Sequence, residues 1–399
     1  MGHYLRKEKG VLFNNIGRLG MISFVLILAL AMVDSIWAVY INSFFQDSSR
    51  AISIVGFISG FLTLISFLFF FFSVPIIEKW NKCRIYLYSL LILGITYILF
   101  AINKNFYIFI LLAVVITILQ VLRITSFGII VRDKSSDRKL TKNEGLMYTF
   151  MNVAWVIGPL IAGFISEKYG ISLIFVLSSI FVFLAFFLFK ILDIQDENIK
   201  KKIDRKFIKN FLDFFKSRER LISYALTGGV SFWWSLIYLF IPLLIIQNGL
   251  GIKWVGYFLF AVAVPLIFFS YMFSKIASKT GFKKMFKIGY SIPLILSFAC
   301  FFVSNIYLIL GLMVLSSIGF AMLESTTESY FLNITKKQDI CRFYGPYNTN
   351  IDISHLISRV LSAVLLLFLP FKFLFLFYSF FMLIIFLISF KSKNIIKDR

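Results

Sequence analysis

Apolar segments of about 18–26 residues alternate with short polar gaps along the chain. At about 1.5 Å per residue, each segment is long enough to cross a hydrocarbon core of roughly 30 Å as an α-helix. The pattern therefore predicts twelve membrane-spanning helices. We place these spans at 17–42, 51–74, 85–102, 106–131, 145–166, 171–191, 221–246, 253–273, 285–304, 306–331, 345–369 and 372–391.

Basic residues fall mainly in every second gap. When residues at a span end are counted with the adjacent gap, 34 of the 41 Lys and Arg residues lie at the two ends of the chain or in the gaps after spans two, four, six, eight and ten. Five belong in the same way to the other gaps, and two, Arg123 and Arg359, lie in the interior of spans. Because cytoplasmic loops of membrane proteins are enriched in Lys and Arg, this distribution predicts that both termini are cytoplasmic.

Composition agrees with a membrane protein and argues against several function classes. The chain is 60% hydrophobic, above the range of soluble domains, with a mean hydropathy of +0.89. The net charge of +22 fits topology and anionic headgroups, so we expect no nucleic-acid partner. Three Cys and two His residues are too scattered for a disulfide framework, a zinc site or Ser-His catalysis. We expect the first apolar run to stay as a span rather than to be a cleaved signal peptide.

A charged interruption divides the spans six and six. It predicts an N-terminal six-helix bundle at 1–192, a basic cytoplasmic linker at 193–220 and a C-terminal six-helix bundle at 221–399. Within the linker, Phe207–Phe215 has apolar residues at helical spacing, which fits an amphipathic helix on the inner membrane surface or a solvated linker. The halves match at an offset of 200 residues, which pairs Gly145 with Gly345, Asn152 with Asp352, Trp155 with His355 and Gly158 with Ser358.

Two short basic loops follow spans two and eight. The first contains Glu78, Lys79, Lys82 and Arg84, and the second contains Lys279, Gly281, Lys283 and Lys284. With the parallel six-span repeats, these loops resemble the signature of the major facilitator superfamily, although Asn81 stands where the family has glycine. The resemblance covers essentially the whole chain and implies an all-α fold of two six-helix pseudo-repeats, with a substrate site near the membrane midplane. It also implies that the two loops act as a cytoplasmic gate.

Two motifs within the first half extend the resemblance. Arg123 is similar to the family's fourth-helix arginine, whose role would be to promote release of a proton from a carboxylate in the cavity. Gly158, Pro159 and Gly163 resemble the fifth-helix motif of exporters that exchange substrate for protons. Small residues permit close approach of helices, and the proline bends the helix.

Ionisable side chains inside spans are functional candidates, because each costs about 2.5–3.5 kcal/mol at a helix centre on insertion scales. Asp34 shares a face of span one with Trp37, and desolvation would favour its protonated form. Seven such side chains lie away from span ends: Asp34, Arg123, Glu324, Glu328, Asp352, His355 and Arg359. All but Glu328, which lies nearest the interface, are our candidates for proton coupling or substrate binding.

Span eleven carries the longest polar stripe. Asn348, Asp352, His355, Arg359 and Ser362 recur at spacings of four and three and so share one face. Glu324 lies at a similar depth to Asp352, and two carboxylates in a poorly hydrated cleft do not both ionise cheaply. His355 would then pass a proton; the alternative is a static network in which His355 and Arg359 neutralise the acids. Trp37 and Trp155 are the aromatic residues that we expect at the cavity.

We therefore predict a secondary active transporter in the cytoplasmic membrane that works by alternating access. The favoured activity is proton-coupled export of a small, partly hydrophobic molecule by a monomer, with protons as the coupling ion and the lipid bilayer as the surroundings. We expect no cofactor, no metal and no enzymatic activity. Two alternatives stay open: an importer or facilitator of a nutrient or anionic metabolite, in which Arg123 and Arg359 bind the substrate, and a non-transporting scaffold or membrane enzyme.

Overall fold

The computed structural model describes residues 15–45, 48–133, 140–191, 207–336 and 339–394. Within these ranges the chain is almost entirely helical and contains no strand. The helices are α1 (Asn15–Asn42), α2 (Ala51–Lys79), α3 (Lys82–Ile102), α4 (Phe106–Asp133), α5 (Leu140–Tyr169), α6 (Ile171–Ile191), α7 (Phe207–Phe215), α8 (Arg218–Gln247), α9 (Ile252–Thr280), α10 (Phe282–Phe302), α11 (Ile306–Ile334), α12 (Ile340–Phe368) and α13 (Lys372–Ser389).

Twelve helices in the described ranges are long and apolar enough to cross a membrane. They are α1–α6 and α8–α13, and each overlaps one of the predicted spans, so the all-α class and the number of spans are confirmed. The helix α8 is not uniform, since its residues Leu236–Phe240 form a π-helical turn between two α-helical segments.

The repeat predicted from sequence extends to individual hydrogen bonds at helix starts. Asn105 caps α4 by accepting hydrogen bonds from the backbone N–H groups of residues 107 and 108, at 2.8 and 3.3 Å. Asn305 caps α11 in the same way, through residues 307 and 308, at 2.9 and 3.2 Å. A side-chain oxygen at this position satisfies N–H groups that the helix itself leaves unpaired. The two caps lie 200 residues apart, as the internal repeat predicts.

The helices form two compact units. The first comprises Met1–Tyr40, Leu64–Lys200 and Gly251–Tyr257. In its interior, serine hydroxyls donate hydrogen bonds to main-chain carbonyls of neighbouring helices. Ser179 Oγ donates to Gly94 O at 2.7 Å, and Ser178 Oγ donates to Ala29 O at 3.1 Å. Such bonds satisfy a buried hydroxyl without burying a charge.

The second unit comprises Ile41–Thr63, Lys201–Leu250 and Phe258–Arg399. Its central helix is α8, since 83% of the most apolar stretch of that helix is buried. The ring of Phe232 stacks on Phe381 of α13 at a centroid distance of 3.6 Å, and Trp233 stacks on Phe320 of α11 at 5.0 Å. The sequence-based domain boundaries at residues 192 and 221 stay a prediction.

The first part of α2 belongs to the second unit and packs closely on α12. A Cβ atom added at Gly56 would lie 2.8 Å from Ala363 Cβ, and one added at Gly60 would lie 2.8 Å from Val360 Cγ2. Ser53 Oγ also donates to Ala363 O at 2.6 Å. The two glycines therefore permit a helix approach that a larger residue would block.

The linker segment Phe207–Phe215 forms the helix α7, as its apolar periodicity predicts. Its Phe214 is fully buried in a cluster with Phe331, Phe343 and Tyr347 of α11 and α12. From sequence, the expected surroundings of this helix are the inner membrane surface or solvent. Neither describes Phe214, whose ring lies inside the second unit.

Polar contacts also hold α7 in place. Arg342 Nε donates to Asn210 Oδ1 at 2.8 Å, and Arg342 also forms an ion pair with Asp213. Arg220 donates to Phe214 O at 3.0 Å, and its guanidinium lies 4.1 Å from the centroid of the Phe343 ring. The hydrogen bond from Lys216 and the nearby positive charges lower the pKa of Asp213 below its ordinary value.

Candidate functional site

Arg123 is the best-defined charge of the first unit. It lies on α4 with 7% of its surface exposed, and its Nε and Nη2 both donate to Gln120 Oε1, at 2.9 and 2.7 Å. The two residues are three positions apart and so share a face of the helix. Because a guanidinium stays protonated in proteins, these two hydrogen bonds hold a permanent positive charge inside the unit.

Asp34 is the acidic partner in the same unit. Its side chain is exposed, although 78% of the most apolar stretch of α1 is buried and both neighbours in sequence are buried. The charge of Asp34 acts on Arg123 and on Tyr97. The structure therefore places the candidate carboxylate Asp34 and the candidate arginine Arg123 in one electrostatic cluster.

Two tyrosines of α3 complete this cluster. Tyr86 and Tyr97 are buried, and the charge of Arg123 acts on both. The Tyr86 hydroxyl has no hydrogen-bond partner in the described part of the chain. The sequence alone does not single out these two tyrosines, because aromatic residues make up 19% of the chain. Gln120 is likewise inconspicuous in sequence, since an uncharged residue becomes significant only through its bonds to Arg123.

The cavity aromatics selected from sequence are both half-buried. Trp37 belongs to an aromatic cluster with Phe100 and Phe109, at centroid distances of 5.6 and 5.7 Å. This packing gives Trp37 a structural role within the first unit. Contact of Trp37 or Trp155 with a substrate stays a prediction.

The glycines of α5 are packing residues in the first unit. A Cβ atom at Gly158 would lie 2.6 Å from Ala31 Cβ of α1, and one at Gly163 would lie 3.0 Å from Gly256 Cα of α9. A Cβ atom at Gly256 would in turn lie 2.6 Å from Pro159 O. The motif therefore packs α5 tightly against two different helices, as small residues in a membrane helix permit.

Glu324 on α11 is the main exposed carboxylate in the middle of the second unit. Its Oε1 accepts a hydrogen bond of 2.6 Å from Trp234 Nε1 of α8. Glu328, one turn further along α11, is also exposed and accepts a hydrogen bond of 2.7 Å from Tyr344 Oη. The donor to Glu324 is thus an indole that the sequence analysis did not connect with it.

The polar stripe of α12 is half-buried at Asp352, His355 and Arg359. The charge of Asp352 acts on Tyr224 of α8, whose hydroxyl lies 3.1 Å from Thr349 Oγ1. His355 forms a hydrogen bond with the backbone of Ser231. Asp352 and His355 therefore lie near α8, and the coupling role of the stripe stays a prediction.

Arg359 turns toward α2 rather than toward the acids of α11. Its Nη1 donates to Thr63 Oγ1 at 2.6 Å and to Ser59 O at 3.3 Å. Further along the stripe, Ser362 Oγ donates to Tyr378 Oη at 3.4 Å. Arg359 thus contributes to the same α2–α12 contact as Gly56.

The two basic loops differ in a way that explains a departure from the family motif. Gly281 has a φ of +88°, a conformation that favours glycine, and it precedes α10. Asn81, which occupies the equivalent position, has a φ of −66° and accepts a hydrogen bond of 3.0 Å from the Arg84 backbone N–H. No glycine is therefore required there. The side chains of Glu78 and Lys79 lie outside the described residues.

The remaining loop residues continue the basic patches. Arg84, Lys279 and Lys284 are exposed, and Lys82 and Lys283 are half-buried. No group of three His, Cys, Asp or Glu residues with metal-binding geometry occurs in the part of the chain that the structure describes.

A family model for the Major Facilitator Superfamily matches residues 19–358. The chain belongs to the Major Facilitator Superfamily. Within it, this member is a multi-pass membrane transporter rather than an enzyme, with twelve helices in the described part of the chain that are long and apolar enough to cross a membrane. No curated protein sequence matches the chain.

Solved structures of this superfamily share the fold at low sequence identity. The nucleoside transporter NupG is 11% identical over 95% of this chain and 99% of its own, with a TM-score of 0.75. A POT family transporter in complex with 5-aminolevulinic acid is 12% identical over 94% of this chain and 95% of its own, with a TM-score of 0.77. A peptide transporter POT in complex with sulfate is 12% identical over 94% and 93%, with a TM-score of 0.72.

Proposed function

We propose that this protein is a monomeric, proton-coupled exporter of small, partly hydrophobic molecules in the cytoplasmic membrane. The observation that carries the proposal is the Asp34–Arg123 cluster. An exposed carboxylate on an otherwise buried membrane helix must face water, because a charge in contact with lipid is costly. Asp34 is therefore accessible to protons, and Arg123 is fixed within range of its charge.

The cluster has the parts that proton exchange requires. Asp34 takes up a proton when its surroundings are poorly hydrated, and the fixed positive charge of Arg123 promotes release of that proton. Gln120 holds Arg123 in place without adding a negative charge. Alternating access then couples proton release to the movement of substrate. The chain contains no Walker-type nucleotide-binding loop, so the energy source is a gradient.

The exposed carboxylates, rather than the two intramembrane arginines, favour a cation or proton over an anion. The guanidinium of Arg123 donates to Gln120, and that of Arg359 donates to Thr63 and Ser59. Each guanidinium carries five N–H groups and these bonds use only some of them, so they do not by themselves exclude an anionic substrate. Asp34 and Glu324, in contrast, are exposed carboxylates suited to protons or cationic groups.

The test is accumulation of fluorescent lipophilic cations in efflux-deficient cells that express this protein. We expect lower accumulation than in cells without it, and we expect the difference to vanish when the proton gradient is collapsed. Asp34→Asn should abolish the difference even with the gradient intact. The matched control is Glu167→Gln, because Glu167 is an exposed carboxylate paired with Lys253 at 3.5 Å, away from Arg123.

The same assay can contradict the proposal. Export that persists in Asp34→Asn, or that is insensitive to the uncoupler, would exclude Asp34 as the proton carrier. Normal accumulation of every cation, with membrane expression verified, would favour import and direct the search toward anionic metabolites.

A further inference from the structure

The helix α8 presents two aromatic side chains from an otherwise buried stretch. Between residues 230 and 245, all side chains are buried except those of Trp234 and Tyr238, which are partly exposed. Their ring centroids are 5.5 Å apart. The two residues are four positions apart, so they share one face of the helix.

A π-helical turn lies at this point of α8. It covers Leu236–Phe240 and therefore includes Tyr238. Inserted π turns are rare and occur mostly as single turns inside α-helices, frequently at functional sites. The local backbone is thus an observation independent of the exposure of the two rings.

Glu324 of α11 lies against this aromatic pair. Its Oε1 accepts the 2.6 Å hydrogen bond from Trp234 Nε1, and the Trp234 ring also lies 6.3 Å from the buried Phe320. No basic side chain in the described ranges forms an ion pair with Glu324. The indole donates a hydrogen bond but supplies no positive charge, so no ion pair within the described ranges neutralises the carboxylate.

The depth of Glu324 points to an internal, hydrated location. The residue is ten positions from the end of α11 at Ile334, which corresponds to about 15 Å along the helix. An exposed carboxylate at this depth faces a water-filled space within the protein rather than lipid. Substrate sites of transporters with repeated halves lie near the membrane midplane.

We propose that Glu324, Trp234 and Tyr238 form a binding site for an organic cation, such as a protonated amine or a quaternary onium group. This inference rests on the proposed transport function and specifies the substrate class. The carboxylate supplies the opposite charge, and the aromatic faces attract the cation through their quadrupoles. A neutral molecule would leave the Glu324 charge uncompensated, and an anion would be repelled by it.

Direct binding to the purified full-length protein in lipid nanodiscs tests the site. The probes are tetraphenylphosphonium, which is cationic, and tetraphenylborate, which has nearly the same shape and the opposite charge. We expect specific binding of the cation alone. Glu324→Gln should weaken that binding roughly tenfold or more, and Tyr238→Leu should weaken it by about threefold to tenfold.

Two controls keep the test decisive. Glu167→Gln, which removes an exposed carboxylate on α5, should leave binding of tetraphenylphosphonium unchanged. If Glu324→Gln does not fold, Tyr238→Leu provides the test, because it leaves the carboxylate and its indole donor in place. Thermal unfolding of each variant establishes that the protein is folded before binding is measured.

Three outcomes would overturn the site: equal binding of both probes, cation binding unchanged in Glu324→Gln, or cation binding lost only in Asp34→Asn. None of these would refute proton-coupled export, which the accumulation assay tests separately. Conversely, Glu324-dependent binding in a protein that shows no gradient-driven export would support the site and contradict the proposed function.

Discussion

Arg123 illustrates how this protein keeps a permanent charge in its interior. A guanidinium cannot give up its proton at physiological pH, and burying it without partners is costly. Gln120 provides an acceptor for two of its N–H groups and carries no charge. Asp34 provides the negative charge from a position that solvent reaches. We infer that Arg123 keeps its orientation whether Asp34 is protonated or ionised.

Gln120→Leu tests this arrangement. It leaves the charged N–H groups of Arg123 without their acceptor, so we expect the free energy of unfolding to fall by about 1.5–3 kcal/mol. We also expect proton-driven export to fall, because Arg123 is no longer held within range of Asp34. Thermal unfolding in detergent and the accumulation assay measure the two effects.

The control for Gln120→Leu is Thr117→Val on the same helix. The Thr117 hydroxyl donates to Ala113 O at 2.8 Å, a local bond that involves no charge. If the two variants have the same stability and the same export, the hydrogen bonds from Arg123 to Gln120 have no special role.

The charged residues of the Asp34–Arg123 cluster and of the proposed Glu324 site could be predicted from sequence, but their hydrogen-bond partners could not. Asp34, Arg123 and Glu324 stand out because ionisable residues are rare inside membrane spans. Gln120 and Trp234 belong to residue types that are common or unremarkable there. Their importance depends on which helix faces lie together, and one sequence without that information cannot indicate it.

At the scale of elements, α7 was also predictable as a helix from sequence, whereas its contact partners were not. Its apolar periodicity predicted a helix, but the residues of α11 and α12 that pack against it lie far away in sequence. The ion pair between Asp213 and Arg342, for example, joins positions 129 residues apart. We infer that α7 ties the linker to the ends of α11 and α12 in the second unit.

Arg342→Ala should loosen α7, because it removes both the hydrogen bond to Asn210 and the ion pair with Asp213. Phe214 would then be exposed more often, and chymotrypsin should cleave the segment faster in limited proteolysis. Arg218→Ala is the matched control, since Arg218 is exposed beside the same helix. Equal cleavage rates in the two variants would contradict the proposed role of Arg342.

The pH dependence of α7 docking has a definite sign. The pKa of Asp213 is lowered in the folded protein, first by the hydrogen bond from Lys216 and then by nearby positive charges that include Arg342. These contacts therefore stabilise the docked helix at any pH above the ordinary value for an aspartate, and that contribution is lost only as the pH falls through the lowered pKa. Hydrogen exchange of α7, corrected for the intrinsic pH dependence of exchange, should show a nearly constant degree of opening between about pH 5 and pH 8 and more opening in stronger acid.

At the scale of the whole molecule, equivalent glycines make equivalent contacts. In the second unit Gly56 packs on Ala363 and on the main chain of Arg359. In the first unit Gly256 packs on Gly163 and on the main chain of Pro159. Each residue of one contact is 200 positions from its counterpart in the other.

Gly56→Ala and Gly256→Ala should have the same effect. Each adds a methyl group where backbone or Cβ atoms lie within 2.8 Å, so we expect a loss of about 1–3 kcal/mol from overpacking. The helix propensity of alanine offsets up to about 1 kcal/mol of that loss. The midpoint of thermal unfolding in detergent measures the difference.

Gly311→Ala supplies the reference, because no atom lies within 4 Å of a Cβ added at that position of α11. This variant gains the same helix propensity without the clash, and we expect it to be as stable as the unaltered protein or more so. If Gly56→Ala unfolds at the same temperature as Gly311→Ala, the close approach of α2 to α12 is not required.

The fold was accessible from sequence to a larger extent than the site. Long apolar runs specify membrane helices almost by themselves, since a backbone in lipid must satisfy its own hydrogen bonds. The caps at Asn105 and Asn305, found in the structure, are separated by the same offset of 200 residues that the sequence shows. The π turn in α8 was not predicted, because its sequence is as apolar as the helical segments on either side.

The serine bonds inside the two units bear on how the halves have diverged. Ser179 donates to Gly94 O at 2.7 Å, and the equivalent Ser379 donates to Leu294 O at 3.1 Å. The acceptor in both cases is a main-chain carbonyl, which every residue possesses. The bond at position 294 therefore does not depend on which side chain stands there, whereas a Cβ atom at Gly94 would lie 2.8 Å from Phe183 Cε1. The two halves can thus keep an equivalent hydrogen bond although the residues that supply the acceptor carbonyl differ.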